Sequence, residues 1–158
     1  RGAAIVSRVE WIVCERTTRW ASALRRALAA AAGDEPVRLR ELRSMTELDA
    51  ELVARPHAFA AIEIHRGNFG ALVAWLSEAR ERHAGATRAV LVDRSMARDI
   101  DPIVAVLLEA SAQAVATSPR KLESLVAMSQ RGSKISANMP TGDSFVDEVW
   151  TSLPWQAV

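Results

Sequence analysis

The chain has 158 residues, 49% of them hydrophobic and 25% charged, with a formal net charge of +1. That length suffices for one well-packed core and is short for two ordinary domains, so one domain with a remainder is expected. Twenty basic residues against nineteen acidic ones leave no global positive field, which argues against nucleic acid as the partner. The lone Cys14 excludes an intramolecular disulfide and a cysteine-based zinc site, and His57, His65 and His83 lack metal-binding spacing, so no metal is expected. No apolar run reaches the roughly 20 residues that cross a bilayer, and no signal-peptide pattern opens the chain. A cytoplasmic, reducing setting with no membrane partner is the expectation. The basic residues are eighteen Arg and two Lys, a bias that reads as genome composition and carries no function by itself.

Residues 9–14 are apolar and rich in β-branched types, and Glu15 and Arg16 follow at once, so a buried strand ending on a polar edge is predicted. Thr17 or Thr18 can cap a helix over about 18–32, with Trp20, Leu24 and Leu28 inward and Gly33 ending it. Alternation from Val37 to Leu42 predicts a half-wet strand. Ser44 and Glu47 form a capping-box signature for the next helix, and Arg55-Pro56 stops it. Ala58 to Ile62 reads as a third strand ending on Glu63. A polar turn then leads to a helix over about 69–83, and Thr87 to Val92 is a fourth strand ending on Asp93.

Asp101 and Pro102 read as the cap and first residue of a fourth helix, which Ile103, Val104, Val106, Leu107 and Leu108 make apolar on most sides. A short strand at 114–117 runs into Ser118-Pro119, and a fifth helix follows until Gly132 breaks the pattern. Strand and helix thus alternate five times, the signature of an α/β three-layer sandwich with a parallel sheet and its functional groups at the strand C-termini. We divide the chain into a domain over 1–131 and a tail over 132–158. In the tail, Phe145, Val146, Val149, Trp150 and Leu153 recur at helical spacing before Pro154-Trp155.

The first strand turns through residues 15–18 without a glycine, and the chain holds no GxGxxG, P-loop or GxSxG motif, which excludes the familiar nucleotide folds and serine hydrolases. What stands at the strand ends is Glu15, Glu63, Asp93, and Thr117 with Ser118. In element order, element lengths and the position of these residues, about 9–131 resembles the receiver domain of bacterial response regulators. The resemblance implies a flavodoxin-like sheet of order 2-1-3-4-5 and a role in two-component signal transduction. It puts the acidic magnesium-binding pair on Cys14 and Glu15, the phosphorylated aspartate on Glu63, the switch hydroxyl on Asp93 and the lysine on Ser118.

Each of those positions departs from the family's chemistry. A thiol at Cys14 suits Mg²⁺ poorly, Glu63 is longer by a methylene, Asp93 repels a phosphate, and Ser118 brings no positive charge. The expectation is a degenerate, non-catalytic pseudo-receiver without a cofactor, acting as a phosphorylation-independent signalling or scaffolding module. For Glu63, a built-in phosphate mimic and a plain residual acid are both open. The acidic residues either cluster or are neutralised by Arg16, Arg66 or Arg94, and ion pairing is favoured. The competing class is a small doubly wound enzyme, or a metal- or ligand-binding domain, using the acidic strand ends.

Partners are expected to be proteins, with a homodimer through helix 4, strand 5 and helix 5 as one form. Candidate contact residues are Ile103, Val106 and Leu107 on helix 4 and Phe145, Trp150 and Trp155 in the tail, which docks either on a partner or back on its own domain.

Overall fold

The computed structural model describes residues 9–32 and 37–137, with side chains described as far as Arg131. Five strands, β1 (Trp11–Cys14), β2 (Leu39–Leu42), β3 (Phe59–Ile64), β4 (Thr87–Val92) and β5 (Ala114–Ala116), alternate with five helices. The helices are α1 (Arg19–Ala32), α2 (Met45–Ala54), α3 (Phe69–Arg82), α4 (Ile100–Glu109) and α5 (Leu122–Ala137). All four strand pairings are parallel, as expected from the alternation, and the order is β2-β1-β3-β4-β5, the flavodoxin-like order that the resemblance implied.

Period-two alternation sorts each strand's side chains into two cores. Ile12, Cys14, Ala60, Ile62, Ile64, Val90 and Val92 meet α2, α3 and α4 on one face. Trp11, Val13, Phe59, Ala61, Leu91 and Ala116 meet α1 and α5 on the other. Trp11 stacks on Phe59 with ring centroids 4.0 Å apart, and Trp20 is wholly buried beneath α1. β3 is buried along its whole length, so Glu63 lies inside the sheet and not beyond its end. Central position explains this: β3 has a paired strand on each side and helices on both faces.

Local signals set the helix boundaries with two differences from expectation. The capping box forms on α2, Ser44 accepting from the Glu47 amide while the Glu47 carboxylate accepts from the Ser44 amide. α4 begins at Ile100, because a 3₁₀ turn over Arg94–Asp99 runs directly into it. Pro102 therefore sits inside the first helical turn, where its missing N–H lacks a partner in any case, and Asp101 is not the cap. α5 continues through Gly132 to Ala137, since one glycine costs a helix only about 1 kcal/mol. Gly33, Phe145, Trp150 and Trp155 lie outside the described residues. No helix among the described residues is long and apolar enough to cross a membrane.

Candidate functional site

Parallel strands deliver Cys14, Glu15, Glu63, Asp93 and Thr117 to one end of the sheet, and the following loops close over them. Glu15, only 3% exposed, turns back on its own chain. Its two carboxylate oxygens accept from the backbone amides of Trp20 (2.9 Å) and Ala21 (2.7 Å). Glu15 thus serves the Trp20 and Ala21 amides at the N-terminus of α1, while Thr17, one of the two caps expected there, accepts from the Arg19 amide (3.4 Å). Burial raises its pKa above the ordinary carboxylate range against the lowering effect of those two amides.

Glu63 is 5% exposed and pairs with Arg16, whose Nε lies 3.3 Å from Oε1. Of the three arginines considered from sequence, Arg16 is the one that neutralises it, while Arg66 donates from Nε to the Ser95 carbonyl (3.1 Å). The pocket therefore keeps a positive charge although Ser118 brings none; the charge arrives from the β1–α1 loop instead of the β5–α5 loop. Asp93 starts the 3₁₀ turn, accepting from the Ser95 amide (3.0 Å), and Arg19 approaches it at 3.9 Å. The Ser95 hydrogen bonds, with Arg16 nearby, hold its carboxyl below its ordinary value.

Cys14 is buried, and its thiol pKa is pushed up to about 11, by desolvation first and then by the charge of Glu47. It behaves as a small apolar residue of the core. The site's donor set does not fit a divalent ion: a protonated thiol stands at one position, Glu15 is committed to helix amides and Glu63 to Arg16. Among the described residues no group of three or more His, Cys, Asp and Glu side chains can hold a metal. Ser118, extended at the end of β5, makes no side-chain cap bond to the turn that follows it.

The β3–α3 loop is held by three hydrogen bonds. Asn68 accepts from the His65 amide (2.8 Å) and donates to the Glu63 carbonyl (2.9 Å), and His65 Nδ1 accepts from the Gly67 amide (3.0 Å). His65 therefore organises a turn and has no nucleophile beside it.

On α4, Leu107 is fully buried in the core and cannot contact a partner, because it occupies the helix's inward face. Ile103 is half-buried against the same core, while Val106 (38%) and Leu108 (49%) are exposed. Sequence reading missed a network between α2 and α3. Asp49 accepts from Trp75 Nε1 (3.0 Å) and Arg82 Nη1 (3.3 Å) and meets His83 Nε2 at 2.8 Å. It also missed Arg88, buried in β4 with Nη1 bonded to the His83 and Ala86 carbonyls and Nε unpartnered. The only sequence signal was a polar residue inside an otherwise apolar strand.

This fold and this arrangement of strand ends define a receiver-like domain. A CheY-like protein, TadZ, from Pseudomonas aeruginosa superposes with a TM-score of 0.61 at 16% identity, covering 78% of this chain and 98% of that one. A response regulator from Hahella chejuensis gives 0.58 at 14% identity, with 78% and 93% covered. A putative pilus assembly-related protein from Burkholderia pseudomallei gives 0.54 at 17%, with 77% and 88% covered. No protein-family model matches the chain, and no curated protein does.

Proposed function

We propose that the chain is a pseudo-receiver, a non-catalytic module that binds protein partners in signalling or scaffolding without being phosphorylated. The observation that carries this reading is the Arg16–Glu63 ion pair over a buried carboxylate, beside a Glu15 already bound to the α1 amides. Glu63 at the phosphoacceptor position thus has its counter-ion in place, and one paired carboxylate offers neither the charge of about two nor the three acceptors of a phosphate. One of the similar structures is a putative pilus assembly-related protein, and a scaffolding duty in an assembly of that kind suits a module with a fixed pocket. The unpaired Cys14 fits a reducing, cytoplasmic setting.

Contact with a partner or a twin subunit is assigned to the exposed side of α4, where Val106 and Leu108 stand out beside Ile103, and to the tail residues Phe145, Trp150 and Trp155. Incubation with Mg²⁺ and acetyl phosphate, followed by intact-mass measurement, is expected to leave the chain unmodified. A stable adduct of one phosphoryl group, absent from Glu63→Gln, overturns the reading. Truncation after Ala137 is expected to keep the fold and abolish self-association or partner binding. Loss of folding instead places the tail on its own domain.

A further inference from the structure

Around the strand-end pocket, charge is unevenly matched. Arg16 pairs with Glu63, Arg19 approaches Asp93, and the third carboxylate, Glu15, is taken up by the α1 amides. Arg66 and Arg94 are left over: both are exposed, and neither makes an ion pair among the described residues. They are not loosely displayed. Arg66 stands on the turn that Asn68 and His65 hold closed, and its Nε bonds to the Ser95 carbonyl, one residue past Arg94. That bond ties the β3–α3 loop to the 3₁₀ turn after β4, whose start is itself fixed by Asp93 accepting from the Ser95 amide. Two surplus guanidinium groups are thus presented on cross-linked backbone, which reduces the ordering that binding would otherwise require.

Resting on the pseudo-receiver reading, we infer that this rim is the docking surface for a carboxylate-rich segment of a protein partner, gripped by Arg66 and Arg94. Guanidinium groups match carboxylates in planar geometry as well as charge. On that reading the partner is a protein, whose anionic side chains are carboxylates, and phosphate is the competing outcome of the test. A nucleic-acid backbone is disfavoured by a whole-chain charge of only +1. The site is the same end of the sheet at which a phosphorylated receiver would carry its signal, here occupied by recognition of a partner's acidic side chains.

The test uses the full chain, a fluorescein-labelled oligoglutamate peptide and anisotropy at low and at moderate salt. The wild type is expected to bind the peptide, more weakly as salt rises. The double variant Arg66→Glu/Arg94→Glu is expected to lose binding by about tenfold or more, the scale of charge-assisted hydrogen bonds removed and reversed. Arg80→Glu/Arg131→Glu, at exposed arginines on α3 and far along α5, matches that change of net charge and is expected to bind as wild type. Both substituted sites are exposed, and circular dichroism checks that the fold is kept.

Absent binding, equal loss in Arg80→Glu/Arg131→Glu, or an oligothymidine of equal length or inorganic phosphate outcompeting the peptide each overturns the inference. The acetyl phosphate experiment separates the two claims. A phosphorylated chain that still binds the peptide through Arg66 and Arg94 refutes the pseudo-receiver reading alone. An unmodified chain that ignores the peptide refutes the docking surface alone.

Discussion

Glu15, buried in the strand-end pocket, and Asp49, 31% exposed in the seam between α2 and α3, are both hydrogen-bonded carboxylates, yet their pKa values move in opposite directions. The Glu15 carboxylate receives two backbone amides and no ion pair, Arg43 bonding instead to its backbone carbonyl (3.2 Å), so burial dominates and its carboxyl sits above the ordinary range. Burial acts on Asp49 in the same sense, but hydrogen bonds from His83 and Trp75, with the charge of Arg82, outweigh it and hold its carboxyl low. Glu15, expected at a receiver's acidic position, is a helix anchor. The residue with the richer set of donors lies where no receiver-like motif pointed. Donor count and donor charge, more than position in the fold, decide what a carboxylate does.

The largest effect on that contrast is expected from Asp49→Ala, which strands Trp75 Nε1 and His83 Nε2 together and lowers stability by about 3 kcal/mol in urea denaturation. A change under about 1 kcal/mol would mean that the seam is solvated and the comparison is empty. Glu15→Ala should cost about 2 kcal/mol through the lost anchor on α1.

Acid unfolding should then distinguish the two sites by sign. Asp49 has a depressed folded pKa, so its contribution is complete above the unfolded value and is lost as pH falls through the folded one. Glu15 has a raised folded pKa, so the folded chain takes up its proton first, and this group gains stability as pH falls from that value through the ordinary range. Asp49→Asn should therefore flatten the acid side of the stability profile, and Glu15→Gln should steepen it. The same slope in both variants would remove the proposed difference.

The buried Cys14 thiol should resist iodoacetamide at neutral pH in the native chain and react once urea unfolds it. The smallest effect is expected from Arg16→Ala, below about 1 kcal/mol, because the guanidinium side of its ion pair is more than half exposed. The same variant frees Glu63, so it provides a sensitive background for repeating the acetyl phosphate measurement.

The alternation of elements, the α2 capping box and the burial of Trp20 were legible because each follows from local spacing and side-chain type. The start of α4 was not, because Asp101-Pro102 carries a stronger local signature than the 3₁₀ turn that preempts it. Leu107 was misassigned to the surface because five consecutive or near-consecutive apolar residues do not reveal which of them faces inward. Ion pairing at the strand ends was foreseeable from composition, but the choice of Arg16 for Glu63, and the approach of Arg19 to Asp93, depended on how far the β1–α1 loop reaches.

By itself, then, the sequence determined a parallel α/β sheet and the residues delivered to its C-terminal end, since period-two and helical spacing act within a few residues of each other. Tertiary structure alone decided the chemistry of those residues. Glu15 and the α1 amides are close in sequence, but only the turn of the β1–α1 loop aims one at the other. Arg16 with Glu63, Arg66 with Ser95 and Asp49 with His83 join separate loops and helices, and such long-range pairings exist only once the sheet has set the spacing between them.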